Sequence, residues 1–489
     1  MEVFLKIYSE RFTKTVTLSI ILMIVAFVYA RYKLNYWKRK GVKQLSHTNI
    51  IFGNLCSSYK NTLEHVSEAD SDSPYVGFYF FHKPCLLLKD AEIIKQMLIR
   101  DFHNFPNRNF AGLQQRDSLG MKTLFSVNNP AWKYLRQKIT PALTKCKLKQ
   151  MLPLITDSAQ PMMSYLNNHI KKSDSKCVDV KDLNRKYGAD LIANIALGIK
   201  TDSFKYPKSD YTKQMMAYFC SFQRMFALFT LFFVPEIVAK FGSMIFFNAS
   251  FVRKIFYNSF EFRDKTGIKR GDFIDFIIEL KNGTQNPLYP FKGDNILFQS
   301  LTFFPGFETS TNAAYFVLVE LAKHKEYQDL ARQDVKNALG EYGWTIEAFD
   351  EMKYVYQCIA ESNRLHPPIS LDRHTLHDYN IPNTNIWIDR GTPIFIYISG
   401  LHKNKRYFDE PEVFNPDRFR ADRVISDAYM PSGVGNRKCI GKLGFLHVKI
   451  VIALILSEYE IYQRSGEGNN SCNEFRSKKG IYKTEQSRI

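Results

Sequence analysis

From Asp294 to Glu320 the chain carries one charged side chain between its ends, Glu308, in a run dominated by Phe, Leu, Val, Ala and small hydroxyl residues. A helix with no polar face has to be enclosed on all sides. The stretch therefore predicts a long buried helix inside a protein large enough to surround it. The chain has 489 residues, 45% hydrophobic and 24% charged, which supplies such a core and excludes a disordered, collagenous or polytopic membrane protein. An aromatic share of 15%, with 40 Phe, favours a large apolar interior or pocket.

The rest of the pattern is mostly helical. Residues 75–90 (YVGFYFFHKPCLLLKD) read as a strand pair around one Lys-Pro turn. From 91 to 322 the spacing is helical, with polar breaks at 171–176 and 200–211, and 281–294 is a turn-rich linker. Short strand-like runs follow Pro367, at 386–388 and 393–398. No internal repeat is evident. The expected class is mainly α with a small β portion (α+β).

Near the start, Thr15–Ala30 is a charge-free apolar run that Tyr32 and Leu34 extend to the length of a single membrane span. Lys6, Arg11 and Lys14 precede it, partly offset by Glu2 and Glu10. Arg31, Lys33, Lys38, Arg39, Lys40 and Lys43 follow with no acid among them, which places the bulk of the chain on the cytosolic side. A cleaved signal peptide ending near Val28 and Ala30 is the alternative, and the dense basic block behind it disfavours export. Sequons begin at Asn248, Asn282 and Asn469 and are silent in a cytosolic domain. The net charge of +19 is partly this juxtamembrane block. The lysine clusters at 144–149 and 170–176 read as solvated faces, and no nucleic-acid-binding signature is present. Eight cysteines without a C-x-x-C pair indicate reduced thiols rather than a zinc ribbon or a disulfide framework.

Five short segments carry the chemistry. Cys439 lies in SGVGNRKCIGKLGF, crowded by Gly433, Gly435 and Gly441 and followed by a helical run from Leu443 to Leu456. A sulfur at the start of a helix feels the positive end of its dipole, which favours the thiolate that a soft metal or a haem iron would take as an axial ligand. Glu361 and Arg364 stand three apart, on one face of a helix that Pro367 and Pro368 end. Pro416-Asp417-Arg418-Phe419 offers a second arginine; Trp132 and Arg136 share a helix face; Gly306-Phe307-Glu308-Thr309 puts an acid and an alcohol inside the apolar helix. Taken singly, each has a plainer account: a surface ion pair, a core tryptophan, a hydroxyl bonded to its own backbone, an inert buried cysteine.

In this order, W-x-x-x-R, G-x-E-T, E-x-x-R, P-x-R-F and G-x-R-x-C-x-G, the segments resemble a cytochrome P-450, over nearly the whole chain to Leu456. WKYLRQKITPALT, FFPGFETST and FDEPEVFNPDRF are similar to the insect microsomal branch associated with foreign lipophilic compounds. The resemblance implies a long central helix over a haem b, with Cys439 as the proximal thiolate and metal ligand. It implies Trp132, Arg136, Arg373 and Arg437 around the propionates, Glu361, Arg364 and Arg418 as a structural ion network, and Glu308 with Thr309 as the acid–alcohol pair that delivers protons. A buried pair of haem carboxylates needs arginine partners, and oxygen cleavage consumes protons. The implied activity is an NADPH- and O2-dependent monooxygenase acting on lipophilic small molecules. Electrons would come through an NADPH-dependent reductase docking on a basic face, with cytochrome b5 as a second candidate donor. Phe303, Phe304, Leu371 and the aromatics of 218–233 are candidate pocket residues, and that last stretch is equally a candidate membrane contact. The implied layout is a lumenal 1–14, a transmembrane 15–34, a basic linker opening the catalytic domain at 35–74, and a haem-thiolate domain at 75–489 facing the cytosol from the endoplasmic reticulum.

Four departures from the family pattern stand out. Ser432 takes the place of a Phe at the start of the cysteine loop, and Pro305 that of a small residue before Gly306. The segment after Gly441 is one residue short and lacks an arginine. GVKQLSHTNIIFGNL, after the anchor, contains no proline hinge. Pro305 predicts a sharper bend in the central helix. An isomerase or dehydratase on the same fold and a non-catalytic haem- or lipid-binding protein are the alternatives. Glu308 and Thr309 argue against the first; Ser432 and Pro305 motivate the second.

Overall fold

The computed structural model describes residues 1–56, 58–68, 73–112, 122–172, 177–233, 235, 248–368, 370–463 and 472–477; the sequon at Asn469 and part of the lysine cluster at 170–176 lie outside them. The chain divides into two compact units, one made of Met1–Asn109, Ile369–Leu401 and Val434–Asn436, the other of Phe110–Pro368, His402–Gly433 and Arg437–Ile489.

The smaller unit is built on a four-stranded sheet in the order Tyr75–Phe80, Lys83–Leu88, Pro393–Tyr397, Ser370–His374. The first two strands are antiparallel, Leu86–Leu88 runs parallel to Ile394–Ile396, and Ser370–His374 is antiparallel to Pro393–Tyr397. The expected strand pair at 75–90 is present, but its turn is Phe81-His82 rather than Lys-Pro, with Phe81 in the left-handed region at φ 54°. Pro84 instead sits inside the second strand opposite Tyr79, beyond the residues that pair with the third strand, where a missing N–H costs no ladder bond. The expected strand at 386–388 is Trp387–Ile388, paired with Tyr379–Asn380.

A helix spans Glu2–Leu34, and its segment Arg11–Leu34 is long and apolar enough to cross a membrane, with side chains such as Leu22, Met23 and Val25 exposed. No proline hinge follows. The helix end goes directly into the sheet: Ala30 and Leu34 are buried, and Trp37 is completely so. The Trp37 backbone N–H donates to Tyr79 Oη at 3.1 Å and its indole N–H to Phe78 O at 3.2 Å. A Cβ on Gly77 would lie 2.3 Å from the indole, so only glycine leaves room for it. Asp389 accepts from Tyr36 Oη at 2.9 Å and pairs with Lys40 Nζ at 2.5 Å.

The larger unit surrounds the charge-poor segment. It forms two helices, Asp294–Leu301 and Phe303–Lys323, interrupted at Thr302 rather than continuous. Pro305 explains the position: it lacks the N–H that would reach the Leu301 carbonyl four residues back, and its ring crowds that carbonyl. Against Phe303–Lys323 pack Val180–Ala196, Lys353–Leu365 and Lys442–Glu458. A Cβ on Gly188 would meet Thr311 Cγ2 at 2.4 Å, so the first of these helices approaches at backbone distance. A three-stranded sheet, Cys177–Asp179, Cys472–Ser477 and Tyr459–Gln463, completes the unit. Cys177 is disulfide-bonded, contrary to the expectation of reduced thiols throughout, whereas Cys56, Cys85, Cys146, Cys220, Cys358 and Cys439 are free.

Candidate functional site

The cysteine loop is closed by its own backbone. The Cys439 N–H donates to Ser432 O at 2.9 Å, and the Gly433 N–H donates to Met430 O at 3.0 Å from a left-handed residue with φ 75°. Gly441 is the N-cap of Lys442–Glu458, and its N–H donates to Cys439 Sγ at 3.2 Å. A Cβ at Gly441 would lie 2.8 Å from that sulfur, inside contact distance. The sulfur is exposed, receives an N–H and sits just ahead of a helix N-terminus, so it is open to a ligand.

Three of the other expected haem contacts converge on this loop. Trp132 and Arg136 lie four apart on the Ala131–Ile139 helix. The Arg437 guanidinium stacks over the Trp132 ring at 4.2 Å and donates from Nη2 to Val127 O at 3.0 Å. Arg136 Nη2 donates to Lys438 O at 2.8 Å. Burial lowers the Arg136 pKa, with the charge on Cys439 opposing it. Trp132, Arg136, Arg437 and Cys439 thus form one cluster in the larger unit.

Arg373 lies in the smaller unit, on Ser370–His374, 3% exposed. Its Nη1 donates to Asp372 O at 2.5 Å, while its buried Nε has no partner among the described residues. Burial, and then the neighbouring charge of Arg108, push its pKa down to about 9, against the pull of Asp372. Asp372 itself is occupied by Arg108 at 3.5 Å and by the Asn109 N–H at 2.6 Å. A buried guanidinium beside a second cation calls for an anion. The exposed Cys439 sulfur with Arg136, Arg437 and Trp132 gathered beside it fits a porphyrin carrying two propionates.

Glu308 and Thr309 occupy a more open place than the apolar run suggests. Glu308 is 25% exposed and Thr309 is exposed, as is Gly306 one turn earlier, where an added Cβ would meet nothing within 4 Å. This helix face is therefore open. Thr309 Oγ1 donates to Gly306 O at 2.8 Å, the backbone bond of the plainer account. Glu308 Oε2 accepts from Arg224 Nη2, a partner that sequence reasoning missed. Its signal was present: Arg224 is the one charged residue in the aromatic stretch 218–233.

The E-x-x-R pair is not a surface pair. Glu361 and Arg364 are both 0% exposed and joined by two bonds of 2.8 Å. Arg364 also donates to His402 O, Pro411 O and Val413 O at 3.0, 2.6 and 3.1 Å. Glu361 accepts from the Asn415 N–H at 2.9 Å and faces Arg418 Nε at 3.4 Å. His402 was also missed. Its Nε2 accepts from the Met430 N–H at 3.0 Å, so its Nδ1–H donates to Arg364 O at 3.1 Å; burial lowers its pKa to about 3 and keeps it neutral.

Phe304 lines a cavity of about 580 Å³ together with Leu197, Tyr211, Met215, Tyr218 and Phe251. Phe303 is buried against Phe273. Leu371 lies in the smaller unit, on the same strand as Arg373.

Comparison with known proteins gives the same outline. The family model described as Cytochrome P450 matches residues 45–485. Cytochrome P450 6k1 of Blattella germanica is 34% identical over 476 residues, covering 90% of each chain. Probable cytochrome P450 6g2 of Drosophila melanogaster is 32% identical, covering 89% of this chain and 90% of its own.

Proposed function

The chain belongs to the cytochrome P450 family, and on that premise we propose that it oxidises lipophilic foreign compounds at a site held by Cys439. It is a monooxygenase that uses haem b, O2 and electrons from NADPH delivered by a reductase. The observation that carries our reading of the site is the Cys439 loop, with the Gly441 N–H on Sγ and two arginines and a tryptophan gathered beside it.

When bound, haem supplies the iron at which O2 is activated, and thiolate ligation raises electron density there. Cys439 Sγ would hold the iron, and the Gly441 N–H on it keeps the sulfur in place ahead of the helix. Arg136 and Arg437 would neutralise propionate charge, with Trp132 holding the Arg437 plane, and Arg373 would serve the same duty. Glu308 and Thr309 carry protons inward from solvent, Glu308 at its carboxylate and Thr309 at Oγ1, on the open face that Gly306 leaves. Glu361, Arg364 and Arg418 hold the architecture and do no chemistry. Phe304 and the neighbouring cavity suit an apolar substrate.

We place the protein in the endoplasmic reticulum membrane by the span at 15–34, with 1–14 lumenal and the domain at 75–489 cytosolic. The exposed basic residues Lys133, Lys138, Lys438 and Lys442 near the cysteine loop suit an acidic flavin domain, and cytochrome b5 is a second donor of matching charge. Phe222, Met225, Phe226 and Phe229 are exposed at i, i+3, i+4 and i+7 of one helix, a stripe suited to the bilayer surface.

The test uses microsomes containing the wild type or Cys439→Ser, a panel of lipophilic compounds and NADPH. The expected result is a thiolate-type carbon monoxide spectrum and oxygenated products from the wild type only. A serine variant that matches it in both overturns the reading.

A further inference from the structure

The helix Phe222–Phe233 is inverted relative to an ordinary surface helix. Its exposed face is Phe222, Met225, Phe226 and Phe229, while its buried side carries a cation, Arg224, only 10% exposed. Ser221 accepts the Arg224 backbone N–H on its hydroxyl at 3.2 Å, near the helix start. The guanidinium lies over the Tyr218 ring at 4.3 Å, and Tyr218 packs edge-on against Phe304 at 5.6 Å. Its Nη2 donates to Glu308 Oε2 across 84 residues of chain. Burial works against the charge on Arg224, but Tyr218 and Glu308 outweigh it and its pKa is raised. A half-open acid on the central helix is thus gripped by a buried arginine from another helix, and that arginine is held between an aromatic ring and the acid.

We propose that Arg224 is the positioning residue for Glu308. It holds the carboxylate in one orientation and makes proton passage through it depend on how the Phe222–Phe233 helix is seated. Glu308 takes a proton at Oε2 from solvent only as the ion pair loosens, and it returns to the guanidinium once the proton has moved on. This inference rests on the reading of Glu308 as a proton carrier.

The test compares Arg224→Met, Arg224→Lys and Glu308→Gln in the full-length haem-loaded protein with its reductase. Two readouts are used: product formed per NADPH consumed, and hydrogen exchange of the amides of 222–233 without substrate or NADPH. Arg224→Met is expected to lower product per NADPH by about tenfold, with peroxide rising and KM little changed, and Arg224→Lys to restore most of it. Exchange at 222–233 should quicken equally in Arg224→Met and Glu308→Gln, and no further in the double variant. Arg224→Met that stays coupled like the wild type, or Glu308→Gln with unchanged exchange, overturns the proposal. If Glu308→Gln stays fully coupled yet shows the faster exchange, the proton role of Glu308 fails while the tether itself stands.

Discussion

Glu361 and Arg364, three residues apart on one helix, are joined by two bonds of 2.8 Å with neither side chain open to water. Their remaining hydrogen-bonding positions go to backbone at His402, Pro411, Val413 and Asn415, so one ion pair gathers several loops.

Removing one partner leaves the other charge buried and unmatched. Glu361→Ala is expected to cost about 3–5 kcal/mol and to lower folded yield sharply. Denaturant unfolding of any soluble material measures the loss; a cost under ~1 kcal/mol would assign the pair to the surface class after all.

Gly441 is held to glycine by the sulfur 2.8 Å from where its Cβ would stand. Gly441→Ala should keep the far-ultraviolet helix signal and lose haem affinity by ~10-fold. Haem titration followed at the Soret band separates this from simple misfolding.

His447 is fully buried, with Nδ1 2.9 Å from Ser310 Oγ, and burial lowers its pKa from 6.5 to about 3. Below pH 6.5 the unfolded chain binds a proton that the folded protein refuses, so stability is full above that pH and declines as it falls toward 3. His402 acts in the same direction. His447→Leu should flatten the acid limb of a plot of unfolding free energy against pH between those values. An unchanged slope would mean the histidine is charged or solvated in the fold.

Arg373 combines full burial with a cationic neighbour and an Nε that has no partner among the described residues. Arg373→Leu should therefore leave the haem-free protein as stable as the wild type or more so, while haem dissociates faster. Thermal unfolding without haem and transfer of haem to an acceptor globin give the two numbers. Loss of stability without loss of haem would make this arginine purely structural.

Asn248 and Asn282 are both exposed. Glycosidase treatment of the protein from a eukaryotic membrane is expected to produce no mobility shift. Sugar at either position would reverse the orientation drawn from the basic block after the anchor.

Features that live in a few consecutive residues were readable in advance. The Cys439 loop, the E-x-x-R helix face and the long apolar N-terminal helix each declare themselves by local spacing. Pro305 announced a disturbed helix, but not that the break would fall at Thr302, because the carbonyl it deprives lies four residues upstream. Contacts set by tertiary packing were invisible. Arg224 meets Glu308, and Arg108 crowds Arg373, across distances in sequence that no periodicity encodes. The turn at Phe81-His82 was misplaced because a Lys-Pro pair is the stronger turn signal, while the strand register put Pro84 opposite Tyr79.

Trp37 lies inside the folded body although it stands only three residues beyond the end of the apolar N-terminal helix. A water-soluble version cannot be trimmed at a later, more convenient point such as residue 44. That cut would remove the indole from its slot over Gly77 and take Tyr36 and Lys40 from Asp389, opening a hole in the sheet's cover. The scissors have to fall at or before Asn35.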